Sequence, residues 1–238
     1  FDKGAYASST TYISGTAVVK AAQMAADRIR VYAARILEDE PKNIKLKNKF
    51  AISINGRSLS LAEIAVGSLH REAQEQIMGI ASYVSPSSPP PFAAQFAEVS
   101  VDIETGFLRV ENLVIAVDGG TIINPLTASG QLEGGLAQAL GYAVCEEMCY
   151  MADGSARERD FSNYHIFSAE EMPKMKTIFI ETFEPSHPFG SKAVAEIPMD
   201  GVAPAIGNAL FDAIGVDIDE IPITPEKIWK ALLRYDQR

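Results

Sequence analysis

Thiols are scarce in this chain: Cys145 and Cys149 are its only two cysteines. One closely spaced pair cannot staple a secreted fold, so a disulfide scaffold is excluded and a reducing, cytoplasmic setting fits. Iron–sulfur clusters take four such ligands, so the chain holds none by itself. The histidines are equally few. His70, His165 and His187 are scattered and form no HExxH pair, which leaves no direct metal-ligand set. Both cysteines fall on one segment expected to be helical and read as buried or half-buried thiols. No apolar run approaches the roughly 20 residues that a membrane helix needs. Excess positive charge is absent too. The formal net charge is -10, which gives no attraction toward nucleic acid or an anionic membrane. The chain opens on Phe1 with no charged n-region and apolar h-region behind it, and reads as a fragment whose upstream part lies elsewhere.

What is present is an ordinary globular composition, 47% hydrophobic and 22% charged, long enough to bury a core. The proline-serine run at 85–91 (SPSSPPP) is a loop, because proline removes donors from helix and ladder alike. It suggests two subdomains, 1–90 and 91–238, within the single 1–238 portion. Small and apolar positions from Val18 to Ile36 predict a long helix ending near Leu37, with Ser14 or Thr16 as its cap. Asn55-Gly56 predicts a hairpin over Phe50–Ser60, and Ser60 with Glu63 a capping box for a helix from Leu61 to about Gly67. Two alternating strands, about Ala94–Ile103 and Phe107–Ala116, flank a turn at Glu104-Thr105-Gly106. Further elements are a strand at Thr177–Thr182, a helix from about Asp200 to Ile214, and a helix near Pro225–Leu233. Helices and strands mix without regular βαβ alternation, so the fold class is α+β.

Two segments carry candidate chemistry. In the first, Asn124-Pro125 opens a helical stretch that contains Gly130, Gly134, Gly135 and Gly141. Each costs about 1 kcal/mol against alanine inside a helix. Either a neighbouring element packs closely there, or a large ligand approaches, with Gln131 and Gln138 on one face supplying amide donors and acceptors. In the second, the turn Gly190-Ser191-Lys192 leads through small apolar residues to Glu196, with Pro198 just beyond. A carboxylate on a stiff apolar segment loses water, which raises its pKa toward that of a general base. The alternative is a solvated glutamate in the first turn of a helix. The glycines form no GxxxxGK[ST], so a P-loop phosphate binder is excluded.

Taken together, GTIINPLTASGQLEGGLAQALGYAVCEEM, NYHIFSAEEMPKMKTIFIE, FGSKAVAEIPM and the opening GAYASSTTYISGTAVVKAA resemble the molybdenum hydroxylase family of the xanthine dehydrogenase and aldehyde oxidase type. The resemblance covers nearly the whole chain, with motifs in order, and is to the C-terminal part of the molybdopterin-binding subunit. It implies that Glu196 is the catalytic base. It implies a cofactor-binding set of Ser8, Thr10, Gly130, Gln131, Gly134, Gln138, Gly190, Ser191 and Lys192. Lys192 is either a cation near the cofactor or a solvated turn lysine. Ser9 stands where some relatives carry arginine, and Ala195 where glycine is commoner before the base.

The resemblance further implies molybdopterin, in simple or dinucleotide form, shared with the upstream part of the subunit. Partner domains or subunits would carry 2Fe-2S clusters and FAD. The reaction would be hydroxylation of a small N-heterocycle with water-derived oxygen, xanthine or hypoxanthine first, then nicotinate-like rings or aldehydes. A non-catalytic interaction module that kept the fold is the reading of a different class. The family's other metal-proximal loops, a glycine-rich turn with a nearby glutamine and an arginine-glycine loop, do not occur here. The isolated chain is therefore expected to hold no complete cofactor, to show no activity, and to expose a broad face.

Overall fold

Val99 and Val101 alternate with polar neighbours because they belong to a strand with one face on a core. The computed structural model describes residues 4–5, 8–70, 74–187 and 189–235. The chain divides into two units, Phe1–Pro86 and Ser87–Arg238, each with its own apolar cluster.

In the first unit, helix α1 (Gly15–Leu37) buries Tyr32, Ala33, Ala34 and Leu37 near its C-terminal end. Neither expected residue caps it. A π-helical turn, Thr10–Ser14, runs directly into α1, so the backbone is already helical at Ser14. Thr16 instead donates its hydroxyl back to the Tyr12 carbonyl at 2.6 Å. Three short strands follow, β1 (Ile44–Lys47), β2 (Phe50–Ser53) and β3 (Ser58–Ser60), antiparallel in that order. β1 was not anticipated, since a lysine-rich tetrapeptide carries little periodic signal. The Asn55-Gly56 turn is closed by Gly56 N–H to Ser53 C=O at 3.0 Å. Helix α2 (Leu61–His70) starts at the capping box: Glu63 accepts from Ser60 N–H at 2.8 Å, and Ser60 Oγ accepts from Glu63 N–H at 3.1 Å. Ile44, Ala51 and Ile64 close the cluster against α1.

In the second unit, β4 (Phe92–Val101) and β5 (Leu108–Asp118) pair antiparallel, with a bulge between Glu98 and Val99. Strand β6 (Lys174–Phe179) joins β5 in parallel, giving the order β4-β5-β6. It begins three residues before the expected strand, because pairing with Asn112–Val117 fixes its register, and Ile180 N–H to Val117 C=O ends it.

Helix α3 (Pro125–Val144) is capped by Asn124, whose side chain accepts from Thr127 N–H at 3.2 Å. Neither cysteine lies within this helix: Cys145 is the residue just after it and Cys149 falls beyond. The helix stops at Val144, where Cys145 N–H and Glu146 N–H both turn back to the Gly141 carbonyl. The helix expected from about 200 to 214 forms as α5 (Val202–Ile214), preceded across Gly201 by a short, unanticipated α4 (Ile197–Asp200). Helix α6 (Pro225–Tyr235) ends the described chain.

Leu113, Ile115 and Val117 of β5 meet Leu132, Leu136 and Leu140 of α3 and Ile206 and Leu210 of α5. Each such side chain, fully buried, contributes about 1.5–3 kcal/mol. The arrangement is α+β, with one parallel pair that element order did not announce. Among the described residues, no helix is long and apolar enough to cross a membrane.

Candidate functional site

Asp118 closes β5, and the chain then enters Gly119-Gly120. Gly120 has a φ of +67°, and a Cβ there would lie 2.4 Å from the Gly190 carbonyl, so only glycine fits. This close approach lets two segments pair. Gly120 bridges Ser191, Thr121 N–H donates to Gly190 C=O at 2.8 Å, and Lys192 N–H donates to Gly119 C=O at 2.7 Å. His187, 1% exposed, accepts the Phe189 N–H on Nδ1 at 3.2 Å, and Ser191 Oγ lies 3.1 Å from the same nitrogen. The Gly190-Ser191-Lys192 turn is therefore a locked structural joint.

Lys192 is not a solvated turn lysine. Its ammonium pairs with Asp118 at 2.8 Å, and the two side chains are 11% and 19% exposed. Asp118 also accepts from Thr182 Oγ1 at 2.6 Å and Gly120 N–H at 3.0 Å. Burial works to raise this carboxyl. The bonds from Lys192, Thr182 and Gly120, with the Lys192 charge, outweigh it and hold the pKa below the ordinary value. Asp118 and Thr182 carried no motif; the only hint was a glycine pair directly after a strand.

The second cluster lies where α3 meets the start of α4. Gln131 donates Nε2 to the Ala195 carbonyl at 3.3 Å, which brings the glutamine beside Glu196. Glu196 is the residue before α4, and its carbonyl accepts Met199 N–H at 3.0 Å. It is exposed, so the expected loss of water does not occur within this chain. Its apolar neighbours Val194 and Ile197 pack onto the core cluster and Pro198 is buried, leaving the carboxylate on the outside.

The four glycines of α3 split into two kinds. A Cβ at Gly135 would lie 2.3 Å from Pro198 Cγ, so close packing explains that glycine; Gly141 is also buried, but a Cβ there would meet only the movable Glu146 side chain. Gly130 and Gly134 face open space, with nothing within 4 Å of a Cβ. Packing does not explain them. They lie one turn apart on an exposed flank, with Gln131 and Gln138 also exposed. Amides supply paired donors and acceptors, and bare glycine backbone admits a flat ring. That donor set fits a polar heterocycle carrying adjacent N–H and carbonyl groups.

Ser8 and Thr10 belong to the other unit: Ser8 has a φ of 51°, and Thr10 opens the π-helical turn. Among the described residues, no group of three His, Cys, Asp or Glu side chains could hold a metal ion.

The chain matches the molybdopterin cofactor-binding domain family over residues 1–173. It is 34% identical over 233 residues to a probable hypoxanthine oxidase of Escherichia coli K12, covering 98% of this chain and 24% of that protein. It is 31% identical over 235 residues to a xanthine dehydrogenase molybdenum-binding subunit of Escherichia coli O157:H7, covering 97% of this chain and 31% of that one. Among solved structures, quinoline 2-oxidoreductase from Pseudomonas putida 86 superposes with a TM-score of 0.87 at 26% identity, over 98% of this chain and 31% of that one. The chain thus spans between 24% and 31% of the length of these relatives. With a family match over most of its length and relatives above 30% identity across nearly all of it, the chain belongs to the molybdopterin-binding domains of the xanthine dehydrogenase-type molybdenum hydroxylases.

Proposed function

We propose that this chain supplies the general base and part of the pterin cradle of a molybdenum-dependent hydroxylase acting on an N-heterocycle, with a purine such as hypoxanthine or xanthine first. The observation that carries the reading is the Gln131–Ala195 hydrogen bond, which sets the amide flank of α3 beside Glu196. Gln131 and Gln138 would hold the pterin edge, and Gly130 and Gly134 would let the ring approach the helix backbone. Molybdopterin, when bound, supplies the two-electron redox chemistry. Glu196 would take the proton of the water-derived nucleophile onto its carboxylate oxygen as the substrate carbon is attacked. Desolvation of that carboxylate would come from the assembled subunit, and electrons would leave toward 2Fe-2S and FAD groups in partner domains or subunits.

Hypoxanthine and quinoline, which stand in the relatives' names, are both N-heterocycles. Nicotinate-like rings and aldehydes follow as alternatives. The exposure of Glu196 favours a second reading, a non-catalytic module that retained the fold. One experiment separates the two. In the intact enzyme, Glu196→Gln should lower kcat by roughly 10²–10⁴-fold on the best of xanthine, hypoxanthine, nicotinate and benzaldehyde. Molybdenum content should stay unchanged. Near-normal turnover by that variant would end the catalytic reading.

A further inference from the structure

Helix α4 has only four residues, Ile197–Asp200, too few to support an internal hydrogen-bond ladder. Its carbonyls are taken instead by side chains from other elements. Gln95 of β4 donates Nε2 to both Ile197 C=O and Pro198 C=O at 3.1 Å. Tyr142 of α3 donates its hydroxyl to Met199 C=O. Burial, and then the charge of Asp200, raise the pKa of that hydroxyl, so it stays a donor. With Gln131 on Ala195 C=O and Met199 N–H on Glu196 C=O, each carbonyl from Ala195 to Met199 has a donor.

Gln95 carries a cost in doing this. Both its partners are carbonyls, so the nitrogen must face them, and Oε1 is left buried without a hydrogen-bond partner among the described residues. A residue that merely filled space would avoid that penalty by being apolar. Gly201 accommodates the amide: a Cβ there would come within 2.8 Å of Gln95 Cδ. Glu196 opens this turn, so the course of the backbone there sets where its side chain starts.

We propose that Gln95 and Tyr142 are positioning residues for Glu196, fixing the turn that begins there and hence the direction of its carboxylate. The proposal rests on Glu196 being the base. Gln95→Leu removes the donors at similar volume, and Tyr142→Phe removes only a hydroxyl. In the holoenzyme, assayed with the best substrate of the same four-compound panel, each should lower kcat by about 10-fold or more. Displacing a reacting group by about 1 Å can cost on the order of 10²-fold. KM and molybdenum content should not change.

Unchanged kcat per bound molybdenum, in an enzyme that Glu196→Gln does inactivate, overturns the positioning role and leaves the base reading intact. Loss of molybdenum with normal turnover per remaining metal assigns both residues a structural role only and also overturns it. Full turnover by Glu196→Gln removes the base reading, and the positioning role with it.

Discussion

Lys192 and Asp118, 74 positions apart in sequence, meet at 2.8 Å with little exposure of either side chain. This pair ties the Gly190–Lys192 turn to the end of β5. The carboxylate is already held by Thr182 and the Gly120 backbone, so the pair is geometrically fixed rather than one of many surface rotamers.

Asp118→Asn should therefore destabilise the protein by about 2–3 kcal/mol, since it leaves a largely covered ammonium without its counter-charge. The pH dependence follows from the lowered pKa of Asp118, whose ordinary value is 3.8. The stabilisation is fully present above the unfolded value and disappears as pH falls through the lower folded one. Urea denaturation of wild type and variant from pH 7 downward should show curves that converge in acid. Parallel curves across that range would contradict the assignment.

The glycines of α3 should respond oppositely to alanine. Gly135→Ala forces a Cβ into Pro198 and should cost about 1–3 kcal/mol. Gly134→Ala adds a Cβ in open space and should stabilise the helix by up to about 1 kcal/mol. In the assembled enzyme the same Gly134→Ala change should lower molybdenum and pterin content, because the added methyl occupies the proposed ring approach. A variant that is more stable yet fully loaded with cofactor would show that Gly134 does not face the pterin.

Cys145 should be a sluggish thiol. Burial first, then the charges of Glu146 and Glu171, push its pKa up to about 11 from an ordinary 9.0. The thiolate fraction at neutral pH then falls about 10²-fold. Iodoacetamide at pH 7.5, followed by peptide mass spectrometry, should leave Cys145 unmodified in the native protein and alkylate it in urea. Equal rates in the two states would refute the environment described for it.

Much of the local structure was legible. Asn124-Pro125, Ser60 with Glu63, and Asn55-Gly56 each act within a few residues, and each formed the cap or turn its chemistry implies. The family motifs were equally readable, because they lie in contiguous runs. Some misses were local, the cap of α1 and the short strand β1, but those that bear on the site are non-local. A solvated Lys192 was one sequence reading, because its partner Asp118 lies 74 positions away at the end of β5. The short α4 was not anticipated, because the Gln95 amide that takes its carbonyls comes from β4. Glu196 looked desolvated because its neighbours are apolar, but those neighbours turn inward and leave it outside.

Sequence alone determined the family, the α+β class and the short-range caps and turns, since these depend on residue identity and near spacing. Only the tertiary structure decided which glycines of α3 are packed and which are open. The same holds for the ion pair that takes Lys192 and for the side chains that hold the backbone around Glu196. Those outcomes depend on contacts between residues far apart along the chain, whose distances no periodicity encodes.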